Sequence, residues 1–124
     1  MEERILVVDD EKDICDILQF NLENEGYKVD LANSAEEALS ILTDRHDLII
    51  LDVMMGGMSG FKMAERLRKE GKSVPIIFLT AKNTENDMLT GFSLGGDDYV
   101  SKPFSVKELI ARVKSVLKRV RLNK

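Results

Sequence analysis

Apolar residues fall into five short runs along the chain: Ile5–Val8, Val29–Ala32, Leu48–Leu51, Pro75–Leu79 and a weaker Asp98–Val100. Rich in isoleucine, leucine and valine, and mostly without alternation, they read as strands buried on both faces. Val29-Asp-Leu-Ala32 does alternate, which places it nearer a sheet edge. Between the runs the apolar period lengthens to that of a helix. Ile14, Ile17, Leu18 and Leu22 form one stripe, with Gly26 as its stop. Ser34-Ala-Glu-Glu37 is a capping-box pattern opening a second helix, striped by Ala38, Leu39 and Leu42. Phe61, Ala64 and Leu67 mark a third, ending at Gly71. A fourth, from about Thr84 to Leu94, has the weakest pattern, with Met88, Leu89 and Phe92. The fifth is the clearest: Val106, Leu109, Ile110, Val113, Val116, Leu117 and Val120 follow i, i+3, i+4, i+7 spacing behind a second capping-box pattern, Ser105–Glu108.

Five strands alternating with five helices predict an α/β domain. Right-handed crossovers would give a doubly wound, five-stranded parallel sheet flanked by five helices. The common strand order for such (βα)5 sheets is 2-1-3-4-5. With 124 residues and no linker or low-complexity stretch, residues 1–124 read as one domain.

Charge and composition narrow the function. With 22 acidic and 18 basic residues the net charge is −4, which excludes strong nonspecific nucleic-acid binding by the domain as a whole. One cysteine excludes an internal disulfide, and one histidine excludes His-rich metal sites and most histidine-based catalysis. No apolar run approaches the ~18 residues of a membrane helix, so no membrane partner is expected. MEERILVVDD turns acidic where a secretory signal must stay apolar; a reducing, cytoplasmic compartment is the expectation. Arg112 to Lys124 holds basic side chains and no acidic ones. That charge complements the dipole at a helix C-terminus, and a dimer or interdomain contact is its second use.

The chemistry must therefore come from carboxylates, hydroxyls and lysine. In open parallel sheets, ligands bind beyond the carboxyl ends of the strands. There this chain places Asp9 and Asp10 after the first strand, Asp52 after the third, Thr80 after the fourth and Lys102, followed by Pro103, after the fifth. Strands 1, 3, 4 and 5 would be neighbours about 4.8 Å apart, so the five side chains can converge. Three carboxylates so close repel one another and would raise at least one pKa. A divalent cation removes the conflict, and hard oxygen ligands favour Mg²⁺ or Mn²⁺. A phosphoryl group could then approach Asp52, its oxygens screened by the cation and by Lys102, with Thr80 as a hydrogen-bond partner. Carboxylate attack on phosphorus gives an acyl phosphate. Such transfer depends on positioning and charge neutralisation, so scarce histidine is no obstacle.

VVDDE, LDVMM followed by glycine, LTAK and DDYVSKPF, in this order and spacing, resemble the receiver domain of bacterial two-component response regulators across essentially the whole chain. The fifth helix resembles the winged-helix transcription-factor subclass. The resemblance implies a flavodoxin-like fold in which Asp52 is the phosphoacceptor, served by a partner sensor histidine kinase. It implies Mg²⁺ bound directly by Asp10, Asp52 and the backbone carbonyl of Met54, with Asp9 acting through water. It makes Thr80 the switch hydroxyl, Lys102 the phosphate-binding lysine, Tyr99 the switch aromatic and Lys102–Pro103 a cis peptide. Phosphorylation would draw Thr80 inward and let Tyr99 rotate in, biasing a face made by the fourth helix, fifth strand and fifth helix toward homodimerisation. The domain would catalyse only its own phosphorylation and dephosphorylation. DNA would be reached only through a C-terminal domain absent from this sequence.

Two positions depart from that pattern. Gly56 stands where the family usually has proline, which loosens the loop carrying Met54 and lowers stability by roughly 0.4–1 kcal/mol. Met88 stands where a lysine often pairs with a glutamate equivalent to Glu108; Asp97, Asp98, Arg112 and Arg119 remain for other dimer bridges. Two rival functions fit the same architecture. A flavin binder needs a hydroxyl- and glycine-rich first loop, and Asp9-Asp-Glu-Lys-Asp13 is acidic instead, with no tryptophan to stack on the ring. An aspartyl-nucleophile phosphatase often carries a second acid two residues on, where this chain has Met54. Among the remaining reactive groups, Cys15 reads as a small buried hydrophobe and His46 as solvent-facing.

Overall fold

The computed structural model describes residues 2–122. Strands and helices alternate throughout: β1 (Arg4–Val8), α1 (Lys12–Asn24), β2 (Lys28–Ala32), α2 (Ala35–Ile41), β3 (Leu48–Leu51), α3 (Gly60–Lys69), β4 (Ile76–Thr80), α4 (Glu85–Ser93), β5 (Asp98–Ser101) and α5 (Val106–Leu122). All strand pairs are parallel, in the order β2-β1-β3-β4-β5, as the pattern predicts.

Successive strand side chains point to opposite faces, and here both faces are covered. Ile5 and Val7 pack with Cys15, Leu18, Leu22 of α1 and Leu109, Val113, Val116 of α5. Leu6 and Val8 pack with Ala35 and Ala38 of α2 and Met63, Ala64 and Leu67 of α3. This is why the strands show no polar alternation. Each fully buried aliphatic side chain contributes roughly 1.5–3 kcal/mol of transfer free energy, so the two layers dominate stability. Cys15 is buried in the first layer, as expected. Helix α4 differs: Gly91 is its sole buried residue, while Met88, Leu89 and Phe92 are exposed.

The helix ends revise the capping expectations. Ser34 accepts from the Glu37 amide, but Glu37 Oε1 reaches past the cap to the amide of Asn33 (2.7 Å). Ser105 accepts weakly from Glu108, whose carboxylate instead pairs with Arg112. A reciprocal box forms at Thr84 and Asp87, opening α4. Gly26 and Gly71 follow α1 and α3 with φ of 96° and 77°, the left-handed turn that ends a helix.

His46 is not solvent-facing. It is 7% exposed; its Nδ1 accepts from the Thr43 amide (3.1 Å), which leaves Nε2 as the protonated nitrogen, 2.8 Å from Asp30. Arg4 also reaches Asp30 (3.0 Å). Burial pushes the Asp30 carboxyl up, but the bonds from His46 and Arg4 outweigh it and hold it below its ordinary value. Half of the six basic residues of α5 form ion pairs within the chain: Arg112 with Asp98 and Glu108, Lys114 with Glu25, Arg121 with Glu3. Two of the groups proposed for intermolecular bridges, Asp98 and Arg112, are thus paired with each other.

Candidate functional site

The sheet register assembles the site. Beyond the last β1–β3 pair, the Asp52 amide donates to the Val8 carbonyl (3.0 Å), which sets Asp52 beside Asp9. Beyond the last β4–β5 pair, the Lys102 amide donates to the Thr80 carbonyl (2.9 Å). The Lys102–Pro103 peptide is cis. Carboxylate oxygens of Asp9, Asp10 and Asp52 lie within 4.8 Å of one another, the first and last buried, Asp10 exposed.

Lys102 Nζ lies 2.8 Å from Asp9 Oδ2, 3.2 Å from Asp52 Oδ2 and 3.5 Å from Glu11. The other oxygens are tied to backbone: Asp9 Oδ1 accepts from the Glu11 amide (2.9 Å), Asp52 Oδ1 from the Met54 amide (3.1 Å). Burial pushes the Asp9 carboxyl up, and Lys102 offsets this only in part. Burial alone would lower Lys102, but its bonds and attraction to Asp9 and Asp52 prevail and raise it. One ammonium therefore contacts Asp9, Asp52 and Glu11, and among the described residues no second cationic side chain pairs with the cluster of Asp9, Asp10 and Asp52. That unbalanced, all-oxygen donor set fits a hard divalent cation.

Thr80 is fully buried, but no hydrogen bond joins it to Asp52; its Oγ1 accepts from the Lys82 amide (3.2 Å). Tyr99 is turned inward, its ring 5.7 Å from that of Phe78 and its hydroxyl donating to the Lys82 carbonyl. Burial, then the charges of Asp87 and Asp52, pushes the Tyr99 phenol up to about 12, so it remains a neutral donor at physiological pH. Thr80 and Tyr99 thus grip opposite sides of one residue, Lys82. The seat of the Tyr99 ring depends on Gly91, where a Cβ would lie 2.8 Å from that ring.

Five of the six candidate side chains are therefore drawn into contact with the cluster or with Lys82, and Asp10 closes the cluster from the solvent side. Sequence reasoning missed Glu11 and Lys82. Lys82 contributes through its peptide groups, which leave no side-chain signature. Two open grooves flank the cluster, about 500 Å³ beside Asp10, Met54 and Lys82 and about 540 Å³ beside Glu11, Ile14, Ile17 and Lys102.

A doubly wound parallel sheet carrying this acidic cluster, hydroxyl and lysine at the carboxyl ends of its strands defines a class of signalling domain. The profile of the response regulator receiver domain matches residues 5–114, and the chain belongs to that family. It is 48% identical over 120 residues to the alkaline phosphatase synthesis transcriptional regulatory protein PhoP of Bacillus subtilis (strain 168), over 96% of this chain and 50% of that protein. The chain thus spans about half the length of that relative. A CheY-like receiver domain from Methanospirillum hungatei JF-1 superposes with a TM-score of 0.93 at 27% identity, over all of both chains. The BeF3-activated DrrB receiver domain superposes with a TM-score of 0.88 at 32% identity, over 95% of this chain and 99% of that one. No helix among the described residues is long and apolar enough to cross a membrane.

Proposed function

We propose that Asp52 is phosphorylated by a sensor histidine kinase and that the aspartyl phosphate sets the state of the domain. The observation that carries this reading is the placement of Lys102 Nζ between two buried carboxylates, Asp9 and Asp52, at the carboxyl ends of the strands. An Asp52 oxygen attacks the phosphorus of a phosphohistidine; the P–N bond breaks, and its electron pair returns to the imidazole. Lys102 moves its charge from the carboxylates to the incoming phosphoryl oxygens. Asp9, Asp10, Asp52 and the Met54 carbonyl would hold Mg²⁺, or Mn²⁺, which supplies charge neutralisation for the transferring group.

Thr80 would release the Lys82 amide to bond a phosphoryl oxygen, and Tyr99 would hold the Lys82 carbonyl in the accompanying arrangement. That couples the phosphate to α4, whose Met88, Leu89 and Phe92 are exposed and would meet a second copy. Dimerisation through α4, β5 and α5 follows, and likeness to a transcriptional regulator twice as long supports control of transcription through a DNA-binding domain outside residues 1–124. On this reading the domain catalyses only its own phosphorylation and dephosphorylation.

Incubation with acetyl phosphate and Mg²⁺, followed by intact mass spectrometry, tests the reading. One labile phosphoryl group is expected on the wild type and none on Asp52→Asn. Equal labelling of both, or steady release of phosphate without a labelled protein, overturns it.

A further inference from the structure

The loop between β3 and α3, which carries Met54, is fixed firmly at its ends. The Met54 amide is bonded to Asp52 Oδ1, and the Gly60 amide donates to the Val53 carbonyl (3.0 Å). Gly60 packs so closely that a Cβ there would lie 2.1 Å from the Asp52 carbonyl oxygen. The middle of the loop is different. Gly56 and Gly57 are adjacent, and a side chain at Gly56 would meet open space, so nothing steric restrains that residue. Two consecutive glycines give such a segment more freedom than any other pair.

Met55 and Met58 pack their side chains against the second core layer, and one polar contact from outside the loop limits its backbone further. Glu36, in the first turn of α2, accepts from the Met58 amide through Oε2 at 3.0 Å. Among the described residues this is the hydrogen bond that ties the stretch from Met55 to Met58 to another element. The approach depends on Gly57: its φ is 78°, and a Cβ there would lie 2.8 Å from Glu36 Oε2. The Met58 amide, with Glu36's own amide, also holds the Glu36 carboxyl below its ordinary value, so the acceptor is ionised at neutral pH. Glu36 itself is solvent-exposed.

We infer that Glu36 is a positioning residue for the cation site: its carboxylate latches the glycine-rich loop through Met58 and so holds the Met54 carbonyl within reach of Asp10 and Asp52. The inference rests on the metal-binding role proposed above. Outer partners that orient a ligand change metal affinity measurably without touching the ion. Because this latch is exposed and acts through the loop backbone, the expected loss is below the roughly 10- to 100-fold typical of such partners, about three- to tenfold.

The test compares wild type, Glu36→Ala and Glu36→Gln by Mg²⁺ titration calorimetry and by hydrogen exchange of the Met58 amide. Glu36→Ala should weaken Mg²⁺ binding by about three- to tenfold and accelerate exchange at Met58. Glu36→Gln, whose side-chain carbonyl can still accept from Met58, should retain most of both. Unchanged Mg²⁺ affinity in Glu36→Ala overturns the inference, as does a glutamine variant as weak as the alanine one, which would make Glu36 a remote charge. A wild type that binds no Mg²⁺ while its Met58 amide is protected overturns the metal reading itself, a result distinct from either.

Discussion

Replacing Lys102 by methionine keeps most of the side chain's length and removes its charge. Asp9 and Asp52, whose side chains are 3% and 5% exposed, then face each other without their ammonium. Their oxygens lie within 4.8 Å. At that separation, with an effective dielectric constant of about 20, two unit charges repel by roughly 3.5 kcal/mol. The pair can escape by taking up a proton, which at neutral pH costs roughly 4 kcal/mol for an ordinary carboxyl. The two routes are comparable, so Lys102→Met should lose about 3 kcal/mol at pH 7, within the range for unpairing a buried charge. The sign with pH follows. Burial already holds the Asp9 carboxyl above its ordinary value, and losing Lys102 raises it further, so its contribution to stability is greatest below the unfolded value and is lost as pH rises through the folded one. The deficit relative to wild type should therefore shrink as the pH is lowered from 7 toward about 5. Mg²⁺ should replace the lost charge and narrow the deficit at pH 7. Urea unfolding at both pH values, with EDTA or with saturating Mg²⁺, measures all of this. A variant as stable as wild type in EDTA at pH 7, or a deficit that neither acid nor Mg²⁺ reduces, refutes the reasoning.

Gly91→Ala places a Cβ 2.8 Å from the Tyr99 ring and 3.1 Å from Phe78. Overpacking of about 1–3 kcal/mol, offset by about 0.5–1 kcal/mol of helix propensity, should leave a loss of about 1 kcal/mol and displaced Tyr99 ring resonances by NMR. Unmoved resonances would contradict the seat described for Tyr99. Cys15 is buried, and burial, then the Asp9 charge, pushes its thiol up to about 11. At pH 8 alkylation should proceed only through unfolding and accelerate with urea; rapid labelling of the native protein would contradict this. With beryllofluoride and Mg²⁺, sedimentation should show a dimer that Phe92→Asp abolishes, and a wild type that stays monomeric counts against the α4 face.

The fold was legible because the apolar stretches of β1, β3 and β4 (Ile5–Val8, Leu48–Leu51 and Ile76–Leu79) are buried on both faces and hold no polar residue to confuse their period. Helix α4 was faint for the converse reason, since it buries only Gly91. Both S-x-x-E patterns marked real helix starts but not reciprocal boxes, because Glu37 and Glu108 found other partners. The box that formed uses Asp87, outside that pattern. His46 misled because its partner, Asp30, lies on another element, and a lone polar residue in a loop looks solvated until the strand order brings them together. At the site, register alone gathered Asp9, Asp52 and Lys102. Which way Thr80 and Tyr99 turn was not legible, because both answer to the peptide groups of Lys82.

The most direct measurement of the central claim is a crystal structure of the chain grown with Mg²⁺ and beryllofluoride. Beryllium should be bonded to an Asp52 oxygen, its fluorines contacted by Lys102 Nζ and Thr80 Oγ1, with a cation among Asp10, Asp52 and the Met54 carbonyl. An Asp52 carboxylate still paired with Lys102, with neither ion beside it, would contradict the account.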